Sequence, residues 1–198
     1  RSLKEFSENA SHEIQTPLAI ARGKLEILLE TPNLSARQLG LIHTTQEALA
    51  RLSKTSEALL LLTRIENQAL LPKQDTDLSK IADRSLRTFS ELAELKGLSL
   101  TAKIDEDVKV PIEPALAEIL VGNLLKNAVR HNVDEGWIRL SLTQKALTIA
   151  NTGEPPSLPT DQLFQRFQTN AGSGQSLGLG LAIVKKICDV HHFDLQYT

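Results

Sequence analysis

Apolar residues recur along the first part of the chain at alternating steps of four and three. Ile14, Leu18, Ala21, Leu25 and Leu28 hold that spacing, and Leu3, Phe6 and Ala10 form a similar stripe displaced by a four-residue step. Such steps stack side chains on one face of an α-helix, so the pattern predicts a helix over residues 3–31. The offset predicts a local change of supercoil. Thr31-Pro32-Asn33-Leu34-Ser35 reads as a turn, with Ser35 placed to cap the next helix. That helix runs to about Glu66, with Ile42, Leu49, Leu52, Leu59 and Leu62 on its apolar face. Two long amphipathic helices joined by a short turn make a helical hairpin. One hairpin covers only one side of each stripe. The pattern therefore predicts a homodimer, two hairpins forming a four-helix bundle.

Beyond a linker at 72–77, which opens on Pro72, the pattern changes character. Residues 78–96 and 114–131 keep helical spacing. Residues 98–104, 137–143 and 146–151 alternate as strands, the last two as a hairpin, and 108–110 is a short strand. A loop of small residues at 168–176 precedes a helix over 178–190, and Phe193 to Tyr197 starts another strand. The fold class is two domains: an all-α hairpin at 1–71 and an α+β sandwich at 78–198, helices on one sheet face.

Composition narrows the function classes. A net charge of −2 over 198 residues, with no basic stripe, argues against nucleic acid as a partner. The lone Cys188 excludes an intrachain disulfide and reads as a small core residue. No apolar run reaches the length of a membrane span. The chain has no methionine even at position 1, so it is expected to be an internal piece of a longer protein. His43 reads as a solvated helix residue and Trp137 as a sheet-packing residue. His191-His192 lacks metal-ligand partner spacing.

Chemistry concentrates first in Phe6-Ser-Glu-Asn-Ala-Ser11-His12-Glu13-Ile14-Gln15-Thr16-Pro17-Leu18. His12 lies two residues from both Ala10 and Ile14, so it points away from the seam. A neutral imidazole near pH 7.5 is a nucleophile. Glu13 is placed to accept the other ring N–H, and Thr16, four residues on, shares the face of His12. Pro17 cannot donate to the carbonyl of Glu13, which predicts a bend. Further on, Asn123, Asn127, Arg130 and His131 share one helical face, opposite Leu116, Leu120 and Leu124. Amide oxygens hold Mg²⁺, which shares its ligands with phosphates, and Arg130 can pair with phosphate oxygens. Asn151-Thr152-Gly153-Glu154-Pro155 forms a turn after a strand. Gly178-Leu179-Gly180 opens a helix whose N-terminal N–H groups suit an anion.

In order and spacing these segments resemble those of sensor histidine kinases. The first matches the phosphoacceptor box at every fixed position, with Gln15 where the family usually has Arg or Lys. The resemblance implies that His12 is autophosphorylated, that Glu13 assists transfer, and that Thr16 supports a phosphatase step. It implies ATP and Mg²⁺ as cofactors, with Asn127 the Mg²⁺ ligand. Asn123 stands where related ATPases carry a glutamate base, and an amide there implies slow hydrolysis. Asn151, Gly153 and Arg166 fall in the adenine and lid boxes, and Gly178, Leu179 and Gly180 in the second glycine box. Asn151 stands for the family's aspartate and Pro155 for its second glycine. Leu163-Phe164-Gln165-Arg166-Phe167 is similar to the lid anchor, and 168–176 to the lid, expected to be disordered without nucleotide.

The resemblance implies a homodimer whose partner is the receiver domain of a response regulator. It also implies the cytoplasmic portion of a bacterial inner-membrane protein, with a sensor region outside this segment. The family's sheet ends with one more strand than the chain carries, so the C-terminal strand is expected to be missing. Two other classes compete: a non-catalytic scaffold that does not bind Mg-ATP, and a motor-like ATPase indifferent to His12.

Overall fold

The computed structural model describes residues 2–66, 74–156, 158–160, 162–168 and 177–197, with side chains from Glu13 onward. The chain divides into two compact units, Arg1–Leu70 and Leu71–Thr198.

The first unit is α1 (Ser2–Leu29) packed against α2 (Ala36–Glu66). Helix α1 continues through Pro17. It closes with N–H bonds from Glu30 to Ile27 O and from Thr31 to Leu28 O. Asn33 then reverses the chain at φ 64°, a left-handed conformation that asparagine tolerates. Ser35 caps α2 as expected: Gln38 N donates to Ser35 Oγ at 3.3 Å and Ser35 N donates to Gln38 Oε1 at 2.9 Å, a reciprocal capping box.

The seam keeps most of the expected α2 stripe, with Ile42 and Leu62 buried and Leu49 and Leu59 half-buried, and adds polar residues to it. Leu18, Ile42, Ser56, Leu62 and Ile65 are buried, with Gln46, Leu49 and Ser53 half-buried. Leu52, expected inside, is 52% exposed, and Ile14 and Leu28 are exposed as well. The reason is geometric: a residue next to Ser53 lies 100° away around the helix, off the narrow strip that one neighbouring helix covers. Ile27 and Leu41 are 60% and 61% exposed.

In the second unit β1 (Asp75–Asp77) pairs antiparallel with β3 (Lys109–Pro111), joined by Thr76 Oγ1 donating to Ile112 O. Strand β1 occupies part of the stretch expected as linker, because Asp77 both ends the ladder and caps α3 (Leu78–Leu95), accepting from Lys80 N at 3.1 Å. Gly97, at φ 66°, closes α3 in a Schellman motif, with Leu98 N–H on Ala93 O.

The main sheet has the order β2-β4-β5, with β2 (Ser99–Ile104) parallel to β4 (Trp137–Leu142) and β4 antiparallel to β5 (Leu147–Asn151). The expected hairpin is present, closed by Thr143 N–H on Ala146 O. Alternation along β4 buries Ile138, Leu140 and Leu142 and leaves Trp137 and Arg139 outside. Trp137 thus does not pack into the core; the Arg139 guanidinium lies 4.9 Å over its ring. Helix α4 (Pro114–Arg130) packs on α3, β5 and α5 (Gly180–His191). Its buried stripe centres on Ala117, Val121, Leu125 and Ala128, and Leu124 is only half-buried.

Phe193 to Tyr197 does not form the expected strand. Phe193 and Leu195 are half-buried between exposed neighbours, so the alternation read in the sequence is real. A strand needs a ladder, and no described strand pairs with this segment.

Candidate functional site

In the helical unit, His12 falls within α1, and its side chain lies outside the described ones. Glu13, Gln15, Thr16 and Pro17 are exposed, while Leu18 is buried against α2. Leu18 therefore anchors this turn, and its polar members stay in water.

In the second unit, the polar face of α4 is a half-buried row of Asn123, Asn127, Arg130 and His131. Asn123 Nδ2 donates to Ile119 O at 2.8 Å, which turns its Oδ1 outward. That oxygen faces Gly180, where a Cβ would stand 2.9 Å from it, so glycine lets the start of α5 approach α4. No side chain caps α5, and its N-cap Leu179 is buried. The first N–H groups of a helix lack intrahelical partners and favour negative charge. Among the described residues, no hydrogen bond engages the Asn127 amide. Burial, reinforced by the adjacent Arg130, pushes the His131 pKa below the ordinary 6.5. Its ring is thus neutral at pH 7, and Arg130 is the cation of this row.

The C-terminal end of α4 meets the end of β5. Asn151 Nδ2 donates to Thr152 O at 2.7 Å and lies 3.4 Å from His131 O. A Cβ on Gly153 would collide with that same His131 oxygen, so only glycine fits. Around this contact the Thr152 hydroxyl donates to Asn132 Oδ1 at 2.6 Å and accepts Trp137 N–H at 2.8 Å. A Cβ on Gly136 would strike both Asn132 Oδ1 and Thr152 Oγ1. Asn132, Gly136 and Thr152 were not singled out in the sequence. The available signals were Thr152 between two site residues and a glycine directly before a strand.

The segment expected to anchor a lid has Leu163 and Phe164 half-buried, but Arg166 and Phe167 exposed, Phe167 at φ 65°. Phe167 N–H bonds Gly178 O at 2.9 Å. Gly178, at φ 62°, lies so close to the backbone of Gln168 that a Cβ would clash. Residues 169–176, the bulk of the expected lid, lie outside the described residues.

The structure thus brings Asn123 to Gly180 and His131 to Asn151 and Gly153. Gly153 and Gly180 let β5 and the start of α5 approach the polar row of α4 closely, as elements that hold a nucleotide between them would need. One neutral amide oxygen on Asn127 fits Mg²⁺, an ion that keeps waters and shares phosphate oxygens. Among the described residues no helix is long and apolar enough to cross a membrane.

Residues 2–68 match the family model "His Kinase A (phospho-acceptor) domain", and residues 113–198 match "Histidine kinase-, DNA gyrase B-, and HSP90-like ATPase". The chain is 33% identical over 198 residues to the sensor protein CutS of Streptomyces coelicolor, covering 95% of this chain and 47% of the relative. It is 30% identical over 196 residues to the sensor protein kinase PmrB of Pseudomonas aeruginosa, with 95% and 41% covered. The chain thus spans less than half the length of these curated relatives. Among solved structures, full-length ShkA in complex with AMPPNP matches with a TM-score of 0.68 at 21% identity, over 94% of this chain and 41% of that one. At that identity the likeness shows the fold.

Proposed function

We propose, for a chain that belongs to the sensor histidine kinases and carries their phosphoacceptor and ATPase domains as the core of a two-component sensor, that His12 is the residue phosphorylated from ATP. The observation that carries this reading is α4 itself: one polar face meets Gly180 at one end and Asn151 with Gly153 at the other.

A neutral ring nitrogen of His12 attacks the γ-phosphorus of ATP. The N–P bond forms as the P–O bond to ADP breaks. Glu13 holds the proton on the other ring nitrogen, and Thr16 orients water for the reverse, phosphatase step. Arg130, Arg166 and the first N–H groups of α5 take phosphate charge. Asn151 accepts the adenine amino group. Asn127 would hold Mg²⁺, which when bound would offset the charge on the phosphates. Asn123 cannot act as a base toward water, which keeps the phosphoryl group for the histidine. The phosphoryl group then passes to an aspartate of a response-regulator receiver domain. The hairpins pair into a homodimer, and the chain works on the cytoplasmic side of a bacterial inner membrane, attached through a sensor region.

The test is incubation with γ-labelled ATP and Mg²⁺. The intact chain acquires acid-labile label, while His12→Ala acquires none and Asn127→Ala loses at least about tenfold. Undiminished label in His12→Ala would overturn the assignment.

A further inference from the structure

Asn151 can contribute to adenine recognition in only one of its two orientations. The oxygen must face the base and the NH₂ must face the protein. Its inward atom meets the carbonyl oxygens of Thr152, at 2.7 Å, and His131, at 3.4 Å. Two acceptors demand a donor, so that atom is Nδ2 and Oδ1 is turned outward. The orientation holds only while those two carbonyls stay where they are.

Both carbonyls belong to one cross-link. Asn132 directly follows His131, Thr152 directly follows Asn151, and their side chains bond each other at 2.6 Å. The proton arrangement of this cross-link is unique. Trp137 O already accepts from Thr152 N at 3.1 Å and from Asn132 Nδ2 at 3.1 Å, which fills its two lone pairs, and it stands 3.3 Å from the Thr152 hydroxyl against 2.6 Å for Asn132 Oδ1. The Thr152 hydroxyl proton therefore goes to Asn132 Oδ1, and the hydroxyl lone pair receives Trp137 N–H at 2.8 Å. Asn132 Oδ1 also accepts Val133 N–H at 3.0 Å, and its Nδ2 donates to Ala128 O at 3.2 Å. Every donor meets an acceptor, and neither amide can flip without setting two like groups against each other. Gly136 leaves the space the pair occupies.

We infer that Asn132 and Thr152 are positioning residues that make this nucleotide site selective for adenine, by locking Asn151 with its oxygen toward the base. The inference rests on the proposed kinase site and adds to it two residues that touch no part of the nucleotide. Breaking the cross-link frees the Asn151 amide to rotate. The base then loses its enforced acceptor, whereas the phosphate-binding elements at Gly180 and Arg130 are untouched.

The test is calorimetric titration of the whole chain with Mg-ATP and with Mg-inosine triphosphate, in which a carbonyl oxygen replaces the adenine amino group. The unaltered chain favours ATP by about tenfold or more. Thr152→Val, which removes the hydroxyl at constant shape, narrows the preference to about twofold, and Thr152→Ser restores it. Circular dichroism and thermal melting establish that each variant is folded, and Asn132→Ala takes the place of Thr152→Val should the latter not fold. A folded Thr152→Val or Asn132→Ala with the unaltered preference overturns the inference. So does an unaltered chain that binds the two nucleotides equally, which leaves the kinase reading standing. An unaltered chain that binds neither nucleotide overturns both.

Discussion

At the scale of single residues, Cys188 shows how burial alone sets chemistry. Its thiol lies on the buried face of α5 and is pushed up to about 11, by desolvation first and by Asp189 second, with Lys185 pulling the other way. The fold thus favours the neutral thiol. Its contribution to stability is complete below pH 9.0, the ordinary value, and is lost between there and about 11 as the unfolded thiol ionises. Denaturant unfolding at pH 8 and pH 10 should show a decline that Cys188→Ala does not share. At pH 7.5 a thiol reagent should label the native chain far more slowly than the denatured one. The residues proposed from the sequence lie within one helical turn or one short segment, such as the box around His12 and the row from Asn123 to His131. Asn132 and Thr152 were not readable. Their bond joins positions far apart in sequence, and no periodicity marks either one.

At the scale of elements, the helices were legible because their signals are local. Ser35 announces α2, and the structure adds Gln38, three residues on, as the other half of a capping box. Ser35→Ala should lower the stability of the hairpin by about 1 kcal/mol in urea unfolding, and Ser35→Asp by less, since aspartate also caps. Less legible was which face of α2 meets α1. Leu52 is exposed and Ser56 buried, while Leu59, Gln46 and Ser53 are half-buried alike, so leucine and polar residues share the seam. Leucine marked an apolar face without saying what covers it. The segment from Phe193 to Tyr197 failed for the complementary reason. Alternation is a property of one strand, but a strand exists only with a neighbour.

At the scale of the whole molecule, the hairpin leaves Ile20, Ile27, Leu41 and Leu52 in water while burying Ser56, whose hydroxyl has no partner among the described residues. Leaving leucines outside and a serine inside makes sense for a surface that a second copy covers. Covering one such leucine contributes about 1.5–3 kcal/mol. Leu41→Glu with Leu52→Glu should therefore convert the proposed dimer to a monomer in light scattering coupled to gel filtration, with helical content retained because both positions are exposed. The second unit is constrained differently. Ser99 pairs with Trp137 and Ile104 with Leu142, side by side and pointing the same way. Parallel neighbours require the chain to cross back between them, and α4 lies within that crossing. Ordering the crossing is slow compared with winding a hairpin of local contacts. The row from Asn123 to His131 thus rides on the very piece of chain whose placement completes the sheet. On the proposed function, a newly made copy gains its nucleotide site only as that crossing docks, so maturation and competence arrive together.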